Sequence, residues 1–430
     1  MINIPLSEKK RVVIAGCGFA GLKLAKSLKN SGFQVVIIDK YNYHQFQPLF
    51  YQVATAGLEP SSISFPLRKI FQNYKDFYIR VAEVQRIDPD VSQLWTTSGI
   101  VRYDYLVLAN GAGNYFVGMK NMEKRSLPMK SVSEALSLRN ALLKNFEDAL
   151  AFRTDAEREG FLNLVIVGSG PSGVEISGAL ADMKKYVIPR DYFELDQSKI
   201  HIHLIEAGDR LLPSMSWKSS AKSREFLVRL GVQIHLNSQV KDYDGKNVIM
   251  ADGSAIRSNL VIWTAGISAV RIPGLADKCY APNNRTLVDP FSKVTGYDKI
   301  YAIGDMAMMV SEDFPKGHPQ VAPVALQQAS LLAANLKRVS RKQSPVPFVY
   351  KDKGTMATIG RNLAVVDLPY VHFHGTFAWF VWMFVHLMSI LTIKNRILIF
   401  YNWFWNYITY DQSLRLILKP QDCQNMEGNE

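Results

Sequence analysis

Apolar runs and small-residue turns alternate at the start of the chain in a pattern that predicts its own secondary structure. Arg11-Val-Val-Ile-Ala15 reads as a short strand, and Gly16-Cys-Gly18-Phe-Ala-Gly21 follows it at once. Leu22 to Asn30 then reads as a helix broken by Gly32, and a second apolar run, Val35-Val-Ile-Ile38, ends at Asp39. Strand, glycine turn, helix and strand ending in an acid form the βαβ unit that binds a dinucleotide. Gly16 permits the tight turn, Gly18 lets the backbone approach a pyrophosphate, and Gly21 lets the helix pack closely on the strand. The helix N-terminus offers N–H groups and partial positive charge to the phosphates. Asp39, 18 residues past Gly21, is placed to accept from a ribose hydroxyl.

The same pattern returns once. Leu164-Val-Ile-Val167 leads into Gly168-Ser-Gly170-Pro-Ser-Gly173, then Val174, Glu175 and the small residues Ser177, Gly178 and Ala179. A strand, His201-Ile-His-Leu-Ile205, ends at Glu206, 33 residues past Gly173, with a charged insertion from Lys184 to Lys199 between. Longer connections are tolerated, so the assignment stands. Two such units imply two dinucleotides on one chain, and electron transfer between redox cofactors is the physical reason for holding both. The alternative is a duplication in which one copy no longer binds. A carboxylate at Glu206 bonds the 2′-hydroxyl of NADH and repels the 2′-phosphate of NADPH. Arg210 softens that preference if it folds back. NADH is the expected substrate.

Two more strands end in turns: Lys299-Ile-Tyr-Ala-Ile303 in Gly304-Asp305, and Tyr105-Leu-Val-Leu-Ala-Asn110 in Gly111. The first reads as one more contact to the first dinucleotide. From chain order the first nucleotide domain is discontinuous, with the second unit inserted. The expected division is 1–159 and 281–370 for the first domain, 160–280 for the second, and 371–430 as a separate C-terminal segment.

That last segment changes character. Trp379, Trp382, Trp403 and Trp405 are four of the chain's seven tryptophans, and Phe377 to Ile393 is 17 residues without a formal charge, His386 counted neutral. As a helix it would be about 25 Å long, marginal for a hydrocarbon core. Ile397 to Tyr410 carries Asn402, Asn406 and Thr409 at helical spacing, continued by Ser413 just beyond it, with Phe400, Phe404 and Ile408 on another face. With Lys394, Arg396, Arg415 and Lys419 nearby, these stretches suit helices lying in a membrane surface. A core helix pair, an oligomer contact and a spanning helix are the alternatives.

Composition narrows the class further. The 430 residues are 48% hydrophobic and 20% charged, which excludes a disordered, collagenous or coiled-coil protein. A net charge of +12 suits an anionic partner, whether membrane surface, nucleic acid or phosphate-bearing cofactor. Cys17, Cys279 and Cys423 are the only cysteines, with no CxxC pair and too few thiolates for an iron–sulfur cluster. A reducing compartment is expected, and the charged start, Glu8, Lys9, Lys10 and Arg11, does not read as a signal peptide.

At this level of detail the chain resembles the two-dinucleotide-binding-domain flavoproteins, and within them the type II, non-proton-pumping NADH:quinone oxidoreductases. The resemblance runs from Lys10 to Leu418 and is carried by Asn42-Tyr-His-Gln-Phe-Gln-Pro-Leu-Phe-Tyr-Gln-Val-Ala-Thr-Ala-Gly57, Trp263-Thr-Ala-Gly-Ile267 and Lys353-Gly-Thr-Met-Ala-Thr-Ile-Gly-Arg361. It implies an α/β fold of two Rossmann-like domains, one for FAD and one for NADH, plus amphipathic C-terminal helices that anchor to a membrane. FAD, held non-covalently, would meet Gly16, Gly18, Phe19, Ala20, Gly21, Asp39, Lys40, Gly111, Gly304 and Asp305. NADH would meet Gly168, Gly170, Pro171, Ser172, Gly173, Glu206 and Gly266. Gln47 and Pro48 would lie beside the isoalloxazine, and Glu175 near the nicotinamide–flavin stack. The family's quinone-side motif, Ala-Gln-x-Ala-x-Gln, is here Ala322-Pro323-Val-Ala325-Leu-Gln327; with Lys394 these residues are the quinone-side candidates. Pro323 departs from the motif, as Asn110 departs from the usual Ala-Thr-Gly turn. The resemblance further implies a homodimer peripheral to the cytoplasmic face of the cell membrane, reducing a membrane quinone without pumping protons. No nucleic-acid partner and no metal are expected. The rivals are a sulfide:quinone or ferredoxin reductase, the former wanting a redox cysteine pair, and a binding flavoprotein in the manner of apoptosis-inducing factor.

Overall fold

A computed structural model describes residues 1–412 and 414–418, so Ser413, Lys419 and Cys423 lie outside the described residues. The chain divides into two compact units, each interrupted in sequence. Unit 1 is Met1–Gln45, Ser64–Asn114 and Ile267–Lys353; unit 2 is Phe46–Ile63, Tyr115–Gly266 and the chain from Gly354 onward.

Unit 1 is built on a parallel five-stranded sheet in the order Ile300–Ala302, Tyr105–Leu108, Arg11–Ala15, Gln34–Asp39, Phe77–Val81. The central strands are wholly buried, from Val12 to Ala15 and from Val35 to Ile38, as continuous apolar runs require in a sheet covered on both faces. Helix α1 (Phe19–Ser27) starts at Phe19, three residues before the expected Leu22. Gly18 is its extended N-cap, and the Leu22 N–H donates to Gly18 O at 3.0 Å, so Gly21 sits inside the first turn. A glycine there lets that turn lie against Gly16.

Unit 2 repeats the design. Its parallel sheet runs Leu127–Pro128, Leu260–Trp263, Asn163–Val167, His201–Ile205, Val232–His235. Helix α2 (Pro171–Tyr186) follows the second glycine turn, with Pro171 in its first turn, where a missing N–H costs no helical bond. The charged insertion is absorbed beyond the turn, in the end of α2, a short helix Ile188–Asp191 and a 3₁₀ turn Gln197–Lys199. Register is untouched: Val167 faces Ile205 as Ala15 faces Ile38.

The C-terminal part of unit 2 is an antiparallel sheet, Thr355–Gly360, Leu363–Asp367 and His372–His374, followed by helices α3 (Thr376–Ser389) and α4 (Ile393–Thr409). The stretch expected to run to Ile393 breaks after Ser389, because Ile390 turns extended and Thr392 caps α4 by accepting from Asn395 N. At 14 residues, α3 spans about 21 Å. Among the described residues no helix is long and apolar enough to cross a membrane.

The polarity of these helices is inverted relative to an ordinary surface helix. Asn395 donates to Ser61 O and Ser62 O, and Asn406 to Gly57 O, so these two asparagines of α4 face the protein. Phe377, Phe380 and Phe384 of α3 and Phe400, Phe404 and Ile408 of α4 are exposed. Two basic residues expected at a headgroup boundary are engaged elsewhere. Arg396 donates to Ile390 O at 2.9 Å, and Arg415 pairs with Asp191 and with Asp411. Lys394 is exposed.

Candidate functional site

In unit 1 the glycine turn is shaped by close approach. Gly16 has φ +97°, and a Cβ there would stand 2.5 Å from Ala109 O. A Cβ on Gly21 would stand 1.9 Å from Gly16 O, so α1 rests directly on the turn. A Cβ on Gly18 would meet nothing within 4 Å, leaving open space at the start of α1. Asp39 is half-buried and uses both carboxylate oxygens on the backbone, accepting from Cys17 N at 2.6 Å and Tyr41 N at 2.8 Å. Burial pushes its pKa up, and those two amides pull it back. Phe19 packs edge-on to His44, whose Nδ1 donates to Cys17 O at 3.0 Å. Burial lowers the His44 pKa to about 4, so the ring is neutral. Ala20 is buried beneath the turn, and Lys40 is exposed. Gly304, with φ +69°, donates its N–H to the buried Gln328 Oε1 at 2.8 Å, and Asp305 follows it in the same 3₁₀ turn. Gly111 has φ +73° with open space around it, and Asn110 Oδ1 beside it is buried with no partner among the described residues. Open space at a helix N-terminus and a carbonyl oxygen with no partner among the described residues fit a dinucleotide such as FAD.

Unit 2 reproduces these distances. A Cβ on Gly168 would stand 2.6 Å from Ala265 N, one on Gly173 would stand 1.9 Å from Gly168 O, and one on Gly170 would meet nothing. Glu206 accepts from Ser169 N at 2.9 Å and from Ser169 Oγ at 2.6 Å, and its other oxygen accepts from Gly208 N at 2.7 Å. In both units, then, the acid ending the second strand braces the amide between the first two glycines. Position at a strand end predicts a ribose contact for these acids, whereas the brace depends on sheet register, which the chain order does not display. Pro171 and Ser172 are exposed on the first turn of α2, and Gly266, with φ +84°, lies against Tyr115 O. Arg210 lies over the Trp217 ring at 4.3 Å and donates to Pro213 O.

Unit 2 also encloses a cavity of about 150 Å³ between α2, the Phe50–Ala54 helix, the antiparallel sheet and the two C-terminal helices. Tyr51, Gln52, Glu175, Asp182, Trp382 and Trp403 are among its lining residues. Glu175 and Asp182, seven positions apart on α2, share a helix face. Burial drives the Glu175 carboxyl well above the usual carboxylate range, while the Thr358 backbone pulls the other way. Gly178, on the same helix, lies so close to the sheet that a Cβ would stand 2.0 Å from Ile359 O. Asp182 accepts from Arg361 N at 2.9 Å, and the Arg361 side chain reaches Tyr407 O and lies over the Tyr410 ring at 3.7 Å.

Burial pushes Asp182 up to about 6, against the pull of Arg361. The folded protein therefore holds this proton more tightly than the unfolded chain does, whose value is 3.8. The resulting stability is fully present below 3.8 and is lost as the pH rises to about 6. Asp182→Asn should flatten that fall by on the order of 1 kcal/mol, read from urea midpoints on either side of the window. An unaltered slope would place the titrating group elsewhere.

The remaining candidates divide between the units. Gln47 is exposed and Pro48 half-buried in a 3₁₀ turn of unit 2, and Lys394 is the second residue of α4; none of the three lines the cavity. In unit 1, Ala322 and Pro323 open the helix Ala322–Ser340, where proline loses no helical bond. Gln327 uses both ends of its amide on Lys351, accepting from its N–H and donating to its carbonyl. The buried glutamine that reaches a glycine turn is its neighbour Gln328.

The pyridine nucleotide-disulphide oxidoreductase family matches residues 10–329, and the NDH2 C-terminal domain matches residues 353–409. A type II NADH:quinone oxidoreductase of Mycobacterium tuberculosis is 32% identical over 411 residues, which is 92% of this chain and 88% of that protein. Among solved structures, NDH2 of Plasmodium falciparum in complex with NADH superposes with a TM-score of 0.87 at 21% identity, over 96% of this chain and 100% of that one. The sulfide:quinone oxidoreductase of Aquifex aeolicus has the same fold more loosely, with a TM-score of 0.70 at 20% identity over 88% and 90%. With two braced glycine turns in one chain and a matching C-terminal domain, this protein belongs to the type II NADH:quinone oxidoreductases within the pyridine nucleotide-disulphide oxidoreductase family.

Proposed function

We propose that this chain carries two electrons from NADH to a membrane quinone without moving protons across the membrane. The observation that carries the reading is the duplicated cradle, in which Cys17–Asp39 and Ser169–Glu206 repeat one geometry in two units. FAD belongs to the first cradle, with the domain 1–159 and 281–370, and NADH to the second, with 160–280. When bound, FAD supplies the redox chemistry, accepting a hydride from NADH and passing two electrons to the quinone. The protein's residues bind and orient. The N-termini of α1 and α2 meet phosphates, Gly18 and Gly170 admit their close approach, and Asp39 and Glu206 keep the turns in shape and face the riboses. The cavity beside Glu175 receives the quinone. Burial raises the Glu175 carboxyl well above the usual carboxylate range, which favours a proton where a quinone oxygen needs one.

Membrane association rests on the outward aromatic faces of α3 and α4, with Asn395 and Asn406 of α4 turned to the protein. The segment 371–430 then lies on the cytoplasmic face of the cell membrane, and the enzyme is a homodimer, as its family resemblance suggests. The described cysteines, Cys17 and Cys279, are free and buried, which disfavours the sulfide-oxidising rival. The test is NADH-driven reduction of a soluble quinone by the flavin-loaded protein, followed together with the flavin spectrum. Bleaching of the flavin without quinone turnover would remove the acceptor from the reading.

Glu206→Gln probes the second cradle. Glutamine has one acceptor oxygen and cannot hold the Ser169 and Gly208 amides together, so NADH affinity should fall about tenfold. The charge facing a 2′-phosphate also disappears, so the NADH-to-NADPH ratio of kcat/KM should drop. An unchanged ratio would move the specificity to Arg210.

A further inference from the structure

We propose that Tyr51 donates a hydrogen bond to the carbonyl oxygen of the quinone, its hydroxyl aimed into the cavity by a one-way relay from Trp403 through Gln52. The proposal rests on the reading of this cavity as the quinone site. An indole N–H can only donate. Trp403 Nε1 lies 2.7 Å from Gln52 Oε1, which makes that end of the amide the acceptor. The other end is therefore the NH₂ group, and it donates to the Tyr51 hydroxyl oxygen at 2.8 Å. An oxygen that receives this bond still has its own hydrogen to give, and no acceptor among the described residues takes it. Tyr51 is 6% exposed and lines the cavity, so the missing acceptor is one that enters there.

Trp382 supplies an independent observation. Its Nε1 is buried and has no partner among the described residues, the residue is 1% exposed, and it lines the same cavity. Tyr51 and Trp382 thus each bring to one cavity a hydrogen that no acceptor among the described residues takes, beside a Glu175 whose burial favours its protonated form. That is the complement of a quinone with its two carbonyl oxygens. Burial and the neighbouring Glu175 also hold the Tyr51 hydroxyl well above its ordinary pKa, so it stays a donor.

Reducing a quinone to a quinol takes up two electrons and two protons. The hydride of NADH carries both electrons with one hydrogen nucleus, and water supplies the remaining proton, so that NADH, one proton and the quinone become NAD⁺ and the quinol. Tyr51 neither gains nor loses electrons. Negative charge grows on the carbonyl oxygen as electrons arrive, so a fixed donor there binds the transition state more strongly than the ground state. That predicts an effect on kcat more than on KM.

Tyr51→Phe removes the hydroxyl and keeps the ring that packs against Trp382. In the flavin-loaded variant, kcat with a short-chain benzoquinone should fall about 100-fold, with KM little changed. The anaerobic rate of flavin bleaching by NADH should be retained. Gln52→Glu is the sharper test, because a carboxylate accepts from both Trp403 and Tyr51. It would turn the tyrosine hydrogen away from the cavity, so quinone kcat should fall as it does in Tyr51→Phe although the tyrosine is still present. A structural role for Tyr51 would not give that result. Should Tyr51→Phe fail to fold, Gln52→Glu carries the test alone. Quinone kcat at the wild-type value in either flavin-loaded variant overturns the proposal. Wild-type protein that bleaches with NADH yet reduces no quinone would instead overturn the reading of the cavity.

Discussion

Gly21→Ala should yield a protein purified with almost no flavin and therefore without NADH oxidation. The added Cβ would stand 1.9 Å from the backbone oxygen of Gly16 and 3.4 Å from Ile14. Neither the turn nor the buried strand can retreat, since Gly16 is itself pressed against Ala109. The relief is to lift the start of α1, which carries away the N–H groups meant for phosphate. An overlap of this kind costs on the order of 3 kcal/mol, which is about a 100-fold loss of flavin affinity. Gly18→Ala is the informative partner. Its Cβ meets no protein atom, so the unfolding midpoint should hold while flavin affinity falls, because the new methyl occupies space left for the ligand. The ratio of visible to ultraviolet absorbance, with urea midpoints for both variants, separates the two effects. Full flavin occupancy in Gly21→Ala would mean the cofactor lies elsewhere.

The second large effect is on the membrane. The double variant Phe384→Glu with Phe404→Glu should release the enzyme from liposomes without unfolding it. Both rings are more than half exposed, at 65% and 53%, so the protein core does not depend on them. Each phenylalanine buried in lipid contributes about 2 kcal/mol, so losing two lowers partitioning about 1000-fold before any charge is counted. Flavin content should stay at the wild-type level, and quinone turnover in vesicles should fall further than turnover with a water-soluble acceptor. Variants that still sediment with liposomes would show these faces to be an oligomer contact instead.

These two experiments address parts of the protein that reading along the chain reaches unequally. Both glycine turns and their strands lie where the local pattern places them, because each residue there answers to neighbours within a few positions. Leu164 to Val167 is buried for the same reason as Val12 to Ala15: each is an apolar run flanked by a turn only glycine can make. The 33-residue spacing to Glu206 looked irregular from the chain alone. Pairing of Val167 with Ile205 restores it, because sheet register ignores what the connection contains.

Other features had no local signature. Arg396 and Arg415 read as membrane-facing charges, yet one caps Ile390 and the other pairs with Asp191, an acid 224 residues away. The brace from Cys17 to Asp39 uses a backbone amide, which any residue type supplies. Gln327 fits a motif by its position, while the fold directs its amide to Lys351 and brings Gln328 to the glycine turn.

Residue order by itself determined the two nucleotide units, their acids and the aromatic amphipathic end. Those depend on periodicity, glycine stereochemistry and the sign of charge, all of which are properties of adjacent residues. Tertiary structure alone decided which face of α4 looks outward, that Glu175 and Asp182 share a cavity, and which way the Gln52 amide points. Trp403 lies 351 residues from Gln52, and a hydrogen bond acquires its direction only when both partners are held in place.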